Sequence, residues 1–151
     1  MKIALGSDHA GFDLKEQVRK WLEAWSIPVQ DFGCRSLESV DYTDYAIPAV
    51  SAVTSGECDR AILVCGTGIG MSIVANKFPG IRASLCHDLF SAKATREHND
   101  SNVLCMGSRV IGVGLAEEIV RTWLATAFAG GRHQRRLDKI TALERRFSCK
   151  E

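Results

Sequence analysis

Ala61-Ile62-Leu63-Val64-Cys65-Gly66-Thr67-Gly68-Ile69-Gly70 is the stretch on which the fold turns. Five apolar residues run without a break and stop at a loop with glycine at every second position. A short continuous apolar run closed by a glycine turn is the pattern of a strand buried on both faces of a parallel sheet. The chain then continues as a predicted helix from Ile69 to Lys77, whose first amides would point into the loop and make it an anion cradle.

The same unit recurs outward from this stretch. Lys2 to Ser7 is a second short apolar run with a polar end, and Pro28 to Phe32, Arg82 to Cys86 and Asn102 to Met106 are weaker versions. Helical spacing links them: Leu14, Val18, Trp21, Leu22 and Trp25 repeat at threes and fours, as do Leu115, Ile119, Trp123 and Ala127. Tyr42 to Ser55 and Asp88 to Glu97 fill the remaining gaps. The strand-helix alternation predicts a doubly wound parallel α/β sheet. A last helix from Arg132 to Phe147 follows the breaker pair Gly130-Gly131 and is read as packing on a partner subunit.

Composition narrows the function classes. The chain has 151 residues, the size of one domain, and no linker or repeat divides it. Its net charge of +1 supplies no general field for nucleic acid. No apolar run approaches the roughly 20 residues that span a bilayer, and the amino terminus turns polar at Ser7-Asp8-His9, so a cytoplasmic protein is expected. Six cysteines (Cys34, Cys58, Cys65, Cys86, Cys105, Cys149) form no C-x-x-C pair, and reduced thiols without a zinc site are expected.

Ligands of open parallel sheets gather at the carboxyl ends of the strands. The first strand ends in Ser7-Asp8-His9-Ala10-Gly11, where Asp8 reads equally as a helix cap and as a catalytic group. The loop after Val64 fails three familiar patterns. A P-loop needs Lys after its last glycine, a dinucleotide fingerprint needs Gly at 71, and a tyrosine phosphatase needs Arg at 71; the sequence has Met71-Ser72. What remains is a thiol, Cys65, at a helix amino terminus, a setting that favours thiolate and suits a base, although a small buried strand-end cysteine has the same signature. His98, in His98-Asn99-Asp100, reads as a general acid or base or as a solvent-facing helix end, and Asn99 is equally open. Arg132 and Arg136, four apart, share a helix face that suits a phosphate dianion, with Arg109 as a third candidate; a merely solvated face has the same spacing.

Taken together, Gly6-Ser7-Asp8-His9-Ala10-Gly11, Cys65-Gly66-Thr67-Gly68-Ile69-Gly70, Glu97-His98-Asn99-Asp100-Ser101-Asn102-Val103-Leu104 and Gly130-Gly131-Arg132-His133-Gln134-Arg135-Arg136 closely resemble the ribose-5-phosphate isomerase B family, which includes isomerases of the lactose and allose pathways. The four motifs cover almost the whole chain in order. The resemblance implies a Rossmann-like three-layer α/β/α fold with a five-stranded parallel sheet. It implies a homodimer or tetramer with active sites shared between subunits, and interconversion of ribose 5-phosphate and ribulose 5-phosphate through an enediolate, without metal or organic cofactor.

Carried over by motif, Cys65 is the base that removes the carbon-bound proton, His98 donates a proton to the ring oxygen, and Thr67 assists near the enediolate. Gly66, Thr67, Gly68, Ile69 and Gly70 would offer backbone amides to the oxyanion. Asp8 would hold substrate hydroxyls or relay a proton, Asn99 would bind a hydroxyl or the enediolate, and His9, Arg109, Arg132 and Arg136 would bind the phosphate. Rival readings are an isomerase of allose or galactose 6-phosphate, a non-catalytic sugar-phosphate binding module, and a thiol hydrolase built on Cys65, His98 and Asn99.

Overall fold

Five parallel strands and six helices alternate along the chain in the computed structural model, which describes residues 1–148; Cys149 and the end of the tail lie outside the described residues. The order is β1 (Ile3–Ser7), α1 (Phe12–Ala24), β2 (Val29–Asp31), α2 (Tyr42–Thr54), β3 (Arg60–Cys65), α3 (Ile69–Ala75), β4 (Ala83–Leu85), α4 (Leu89–Asn99), β5 (Val103–Gly107), α5 (Val113–Ala125) and α6 (Arg132–Ser148). Every predicted element is present, with ends displaced by one or two residues. The shift that matters is at α4, which runs through His98 and Asn99, so both sit in its last turn.

The sheet order is β2-β1-β3-β5-β4, all parallel. β1, β3 and β5 are buried along their length apart from Arg60, because each has a strand on both sides and helices on both faces. One face is covered by α1, α4 and α5, packing Leu14, Val18, Leu22, Ala92, Ile119 and Trp123 onto Leu5, Ile62 and Leu104. The other is covered by α2 and α3, packing Ala46, Ala49, Val50, Met71 and Ala75 onto Ala4, Leu63 and Cys105. This is the three-layer α/β/α sandwich that the family resemblance implies.

After β2 the chain crosses β1 to enter β3, so the direction of winding reverses between β1 and β3. At such a point the loops at the carboxyl ends part and leave a crevice. The register sets what faces it: Ser7 pairs with Val64, and Cys65 pairs with Gly107, so the ends of β1, β3 and β5 lie level.

The β1 end is clamped from its outer side. Lys15, wholly buried on α1, donates to Asp31 at 2.6 Å and to Glu16 at 3.1 Å. The other Asp31 oxygen accepts the Gly33 amide at 2.8 Å, and Gly33 and Cys34 bond to Ser7 through main-chain O···N contacts of 2.7 and 2.8 Å. A buried ammonium left without its carboxylate costs about 3–5 kcal/mol, so this pair fixes the residue before Asp8.

Among the described residues, no helix is long and apolar enough to cross a membrane. The helix α6 leaves the sandwich after Gly130 and Gly131, both with positive φ, and rests on α4 through His133 and Leu137, which are buried. Its Ile140 and Leu143 are exposed.

Candidate active site

Cys65 ends β3, and its thiol turns back over the loop that follows. The Gly68 amide donates to Cys65 Sγ at 3.0 Å, a bond that stabilises negative charge on sulfur. The turn closes because Gly68 takes φ +77°, and a Cβ there would come within 2.5 Å of the Leu85 side chain and 2.8 Å of the Met106 backbone. Glycine is the residue that meets both demands. The Ile69 amide donates to Thr67 Oγ1 at 3.3 Å. Two loop amides are therefore engaged inside the loop, shaping it.

The neighbouring β1 turn presents Asp8 and His9. Asp8 Oδ1 accepts the Gly11 amide at 2.9 Å, which orders the turn into α1, while Asp8 also borders the cavity. Asp8 thus orders the turn that leads into α1 without being its cap, which is Gly11, and its side chain stands at the cavity edge. His9 Nδ1 accepts the Val40 amide at 3.2 Å, which leaves the ring proton on Nε2. From the β5 end, Arg109 bonds through its amide to the Gly66 carbonyl at 3.0 Å, with its side chain beside Gly66.

These three turns border an open cavity of about 280 Å³ lined by Asp8, His9, Tyr42, Cys65, Gly66, Thr67, Gly70 and Arg109, together with Ala10. The volume suits a small polar ligand. Tyr42 is the residue that sequence reading missed. Its ring lies where a Cβ on Gly70 would come within 2.9 Å, so Gly70 is the notch that admits it. The only signal was the position of Tyr42 at the start of α2, and a lone aromatic there carries no chemistry by itself.

Two other core thiols are excluded as bases by their surroundings. Burial pushes Cys86 up to about 12 and Cys105 well above the ordinary thiol value, so both stay protonated. The five described cysteines are all free and buried, and Cys65 is the one that lines the cavity.

The remaining predicted residues lie elsewhere in the chain. His98 and Asn99 end α4, immediately before β5 begins at Val103, whereas Cys65 is level with Gly107 where β5 stops. They therefore occupy the amino end of the sheet, opposite the cavity. There His98 stacks on His133, with ring centroids 4.4 Å apart and planes 12° apart. Arg132 and Arg136 flank the pair on α6, exposed at the surface. Asn99 lines a groove of about 680 Å³ with Asn76, Arg82, Ile140 and Leu143. One chain thus carries two separate groups, a thiol cavity at one end and a histidine-arginine cluster at the other.

His133 is the second residue that sequence reading did not assign, although it stands inside the Gly130 to Arg136 motif. It is buried, and its Nδ1 has no hydrogen-bond partner among the described residues. Burial first, then the neighbouring His98, Arg132 and Arg136, hold it below the ordinary histidine value. The unfolded chain takes up this proton near about pH 6.5, and the folded chain only at lower pH. The folded state is therefore favoured above that value and loses this advantage as pH falls below it. Thermal unfolding should show a lower Tm at pH 5.5 than at pH 7, with a smaller drop in His133→Asn; equal drops would contradict this account.

Comparison with known proteins bears on the whole chain. The family model described as Ribose/Galactose Isomerase matches residues 3–140. Ribose-5-phosphate isomerase B of Escherichia coli is 51% identical over 145 residues, covering 96% of this chain and 97% of that protein. A D-erythrulose-4-phosphate isomerase of Pectobacterium atrosepticum is 43% identical over 141 residues, covering 93% of each. Among solved structures, ribose-5-phosphate isomerase B of Clostridium thermocellum superposes with a TM-score of 0.96 at 50% identity, covering 97% of this chain and 99% of that one.

Proposed function

Because the chain belongs to the ribose/galactose isomerase family, we propose that its cavity interconverts ribose 5-phosphate and ribulose 5-phosphate as an aldose-ketose isomerase. The observation that carries the mechanism is the Cys65 sulfur, held by the Gly68 amide and facing a cavity bordered by Asp8, His9, Thr67 and Arg109.

The cyclic sugar must first open: Asp8 takes the proton of the anomeric hydroxyl as the C1 carbonyl forms, and His98 of the partner subunit gives a proton to the ring oxygen. The Cys65 thiolate then takes the proton from C2 of the open aldose. The electron pair moves into a C1–C2 double bond, and the carbonyl oxygen at C1 becomes the enediolate oxygen. Thr67 and backbone amides of the 66–70 loop would hold that oxygen, where the loss of one donor costs about 3–4 kcal/mol. Cys65 returns the proton to C1 while the C2 hydroxyl proton passes to the C1 oxygen and the C2 oxygen becomes the ketone, so the atoms balance with no external reagent. Asp8 holds sugar hydroxyls, and His9 Nε2–H and Arg109 lie on the phosphate side.

A composite site follows from the separation of the two groups. His98, Asn99, Arg132 and Arg136 cannot serve the Cys65 cavity of their own chain from the opposite end of the sheet. In a two-fold dimer each chain would lend its cluster to the other's cavity, because an isologous contact repeats whatever it builds. Ile69 and Ile73 on α3, both more than half exposed beside the cavity loop, fit such a contact. The reading places the enzyme in the cytoplasm, where its buried thiols stay reduced.

Replacing an arginine tests the phosphate assignment. With ribose 5-phosphate as substrate, Arg132→Ala and Arg136→Ala should each raise KM by about tenfold to a hundredfold and change kcat less, as loss of a charged hydrogen bond to bound substrate predicts. Unchanged KM in both would remove the α6 cluster from the site.

A further inference from the structure

His87 follows β4 and takes no part in the mechanism above, yet its ring accepts a backbone amide at the base of the thiol loop. The β4 to β5 ladder ends with Leu85 opposite Cys105 and a 3.1 Å bond from the Cys86 amide to the Cys105 carbonyl. β4 then leaves the sheet, while β5 runs on to Gly107. The Gly107 amide, which the next rung would have satisfied, donates instead to His87 Nε2 at 3.0 Å. The imidazole replaces a backbone carbonyl at the end of the ladder.

Gly107 is the point where three parts of the cavity meet. It pairs with Cys65, and a Cβ on it would lie 2.7 Å from the Thr67 carbonyl carbon and oxygen, so the two backbones are in direct contact. The next residue, Ser108, donates through its amide to the Cys65 carbonyl at 2.9 Å and through its hydroxyl to the Ala10 carbonyl at 2.7 Å. Arg109 then bonds to the Gly66 carbonyl. A displacement of Gly107 therefore moves the base, the loop and the Asp8 turn together.

We propose that His87 is a positioning residue for this reaction: as a neutral ring with its proton on Nδ1, it fixes Gly107 and through it the Cys65–Gly68 loop. The acceptor nitrogen is the essential feature, because a doubly protonated ring has two donors and no acceptor. Asp88, the adjacent carboxylate, is committed to the Ser91 amide and hydroxyl at 2.7 and 2.8 Å, where it caps α4. Its hydrogen bonds to Ser91 are the largest cause that holds it below the usual carboxylate range, with smaller contributions from the Phe90 amide and the neighbouring His87.

The inference rests on Cys65 as base, and the test separates the two. In the unaltered enzyme, long-range ¹H–¹⁵N correlation should show His87 protonated on Nδ1 with Nε2 unprotonated, and the Gly107 amide should exchange slowly. His87→Leu should lower kcat by about tenfold with KM changed less than about threefold, and should speed exchange at Gly107. His87→Gln, which returns an acceptor oxygen at similar reach, should restore most of kcat and the protection. A proton on Nε2, full kcat in the Leu variant, or a Gln variant as impaired as Leu would each overturn the proposal. If the Leu variant does not fold, the tautomer and the Gln variant decide it. Normal turnover in Cys65→Ala would remove the base and leave the tautomer and Gly107 protection as they are.

Discussion

Cys65→Ala should lose catalysis almost completely, with kcat for ribose 5-phosphate falling by roughly 10²- to 10⁴-fold, the range that one positioned acid-base group contributes. Binding should survive. Cys65 is 6% exposed at the cavity wall, and removal of its thiol takes away one small group without opening the loop, because Gly68 keeps its φ and its packing on Met106. Affinity for inorganic phosphate, read by competition or calorimetry on the variant, should stay within about threefold of the parent, since the arginines carry it. A variant that turns over normally would sink Cys65 as the base. One that loses phosphate binding in step with activity would show that the thiol holds the loop together.

The largest recovery should come from two dead proteins. Cys65→Ala and His98→Ala each spoil every site of their own homodimer. When the two are mixed and their subunits exchange, half of the dimers should be hybrids. A site that draws Cys65 from one chain and His98 from the other is then intact once per hybrid. Activity should rise from near zero to about a quarter of the parent value, because one site in two works in half of the molecules. The separation of the two groups in one chain forces this expectation: α4 delivers His98 to the start of β5, and β3 delivers Cys65 level with its end. No recovery after demonstrated exchange would mean that both groups come from the same chain, or that His98 is not used.

The fold was legible wherever strands were buried on both faces. β1 and β3 are wholly buried apart from Arg60, so their apolar runs end where the strands end. β2 and β4 are three-residue edge strands with half-exposed side chains, and their boundaries were legible only to within a residue or two, because only one neighbour fixes their register. At the site, Cys65, Thr67, Asp8, His9 and Arg109 were legible as motif residues at strand ends, and the structure brings them to one cavity. The position of His98 was not. Motif order says nothing about which end of the sheet a residue reaches; that depends on α4 running back toward the amino edge. Tyr42, His87 and His133 escaped for a shared reason, since each gains its meaning from a non-local contact: a notch at Gly70, an orphan amide at Gly107, a stacked ring at His98.

The measurement that bears most directly on the account is steady-state isomerisation of ribose 5-phosphate beside allose 6-phosphate and galactose 6-phosphate, with Cys65→Ala as control. The account predicts the highest kcat/KM for ribose 5-phosphate and no comparable turnover by the variant. A hexose phosphate with the higher kcat/KM would contradict the substrate assignment, and absence of turnover with all three would contradict the assignment of this cavity as an isomerase site.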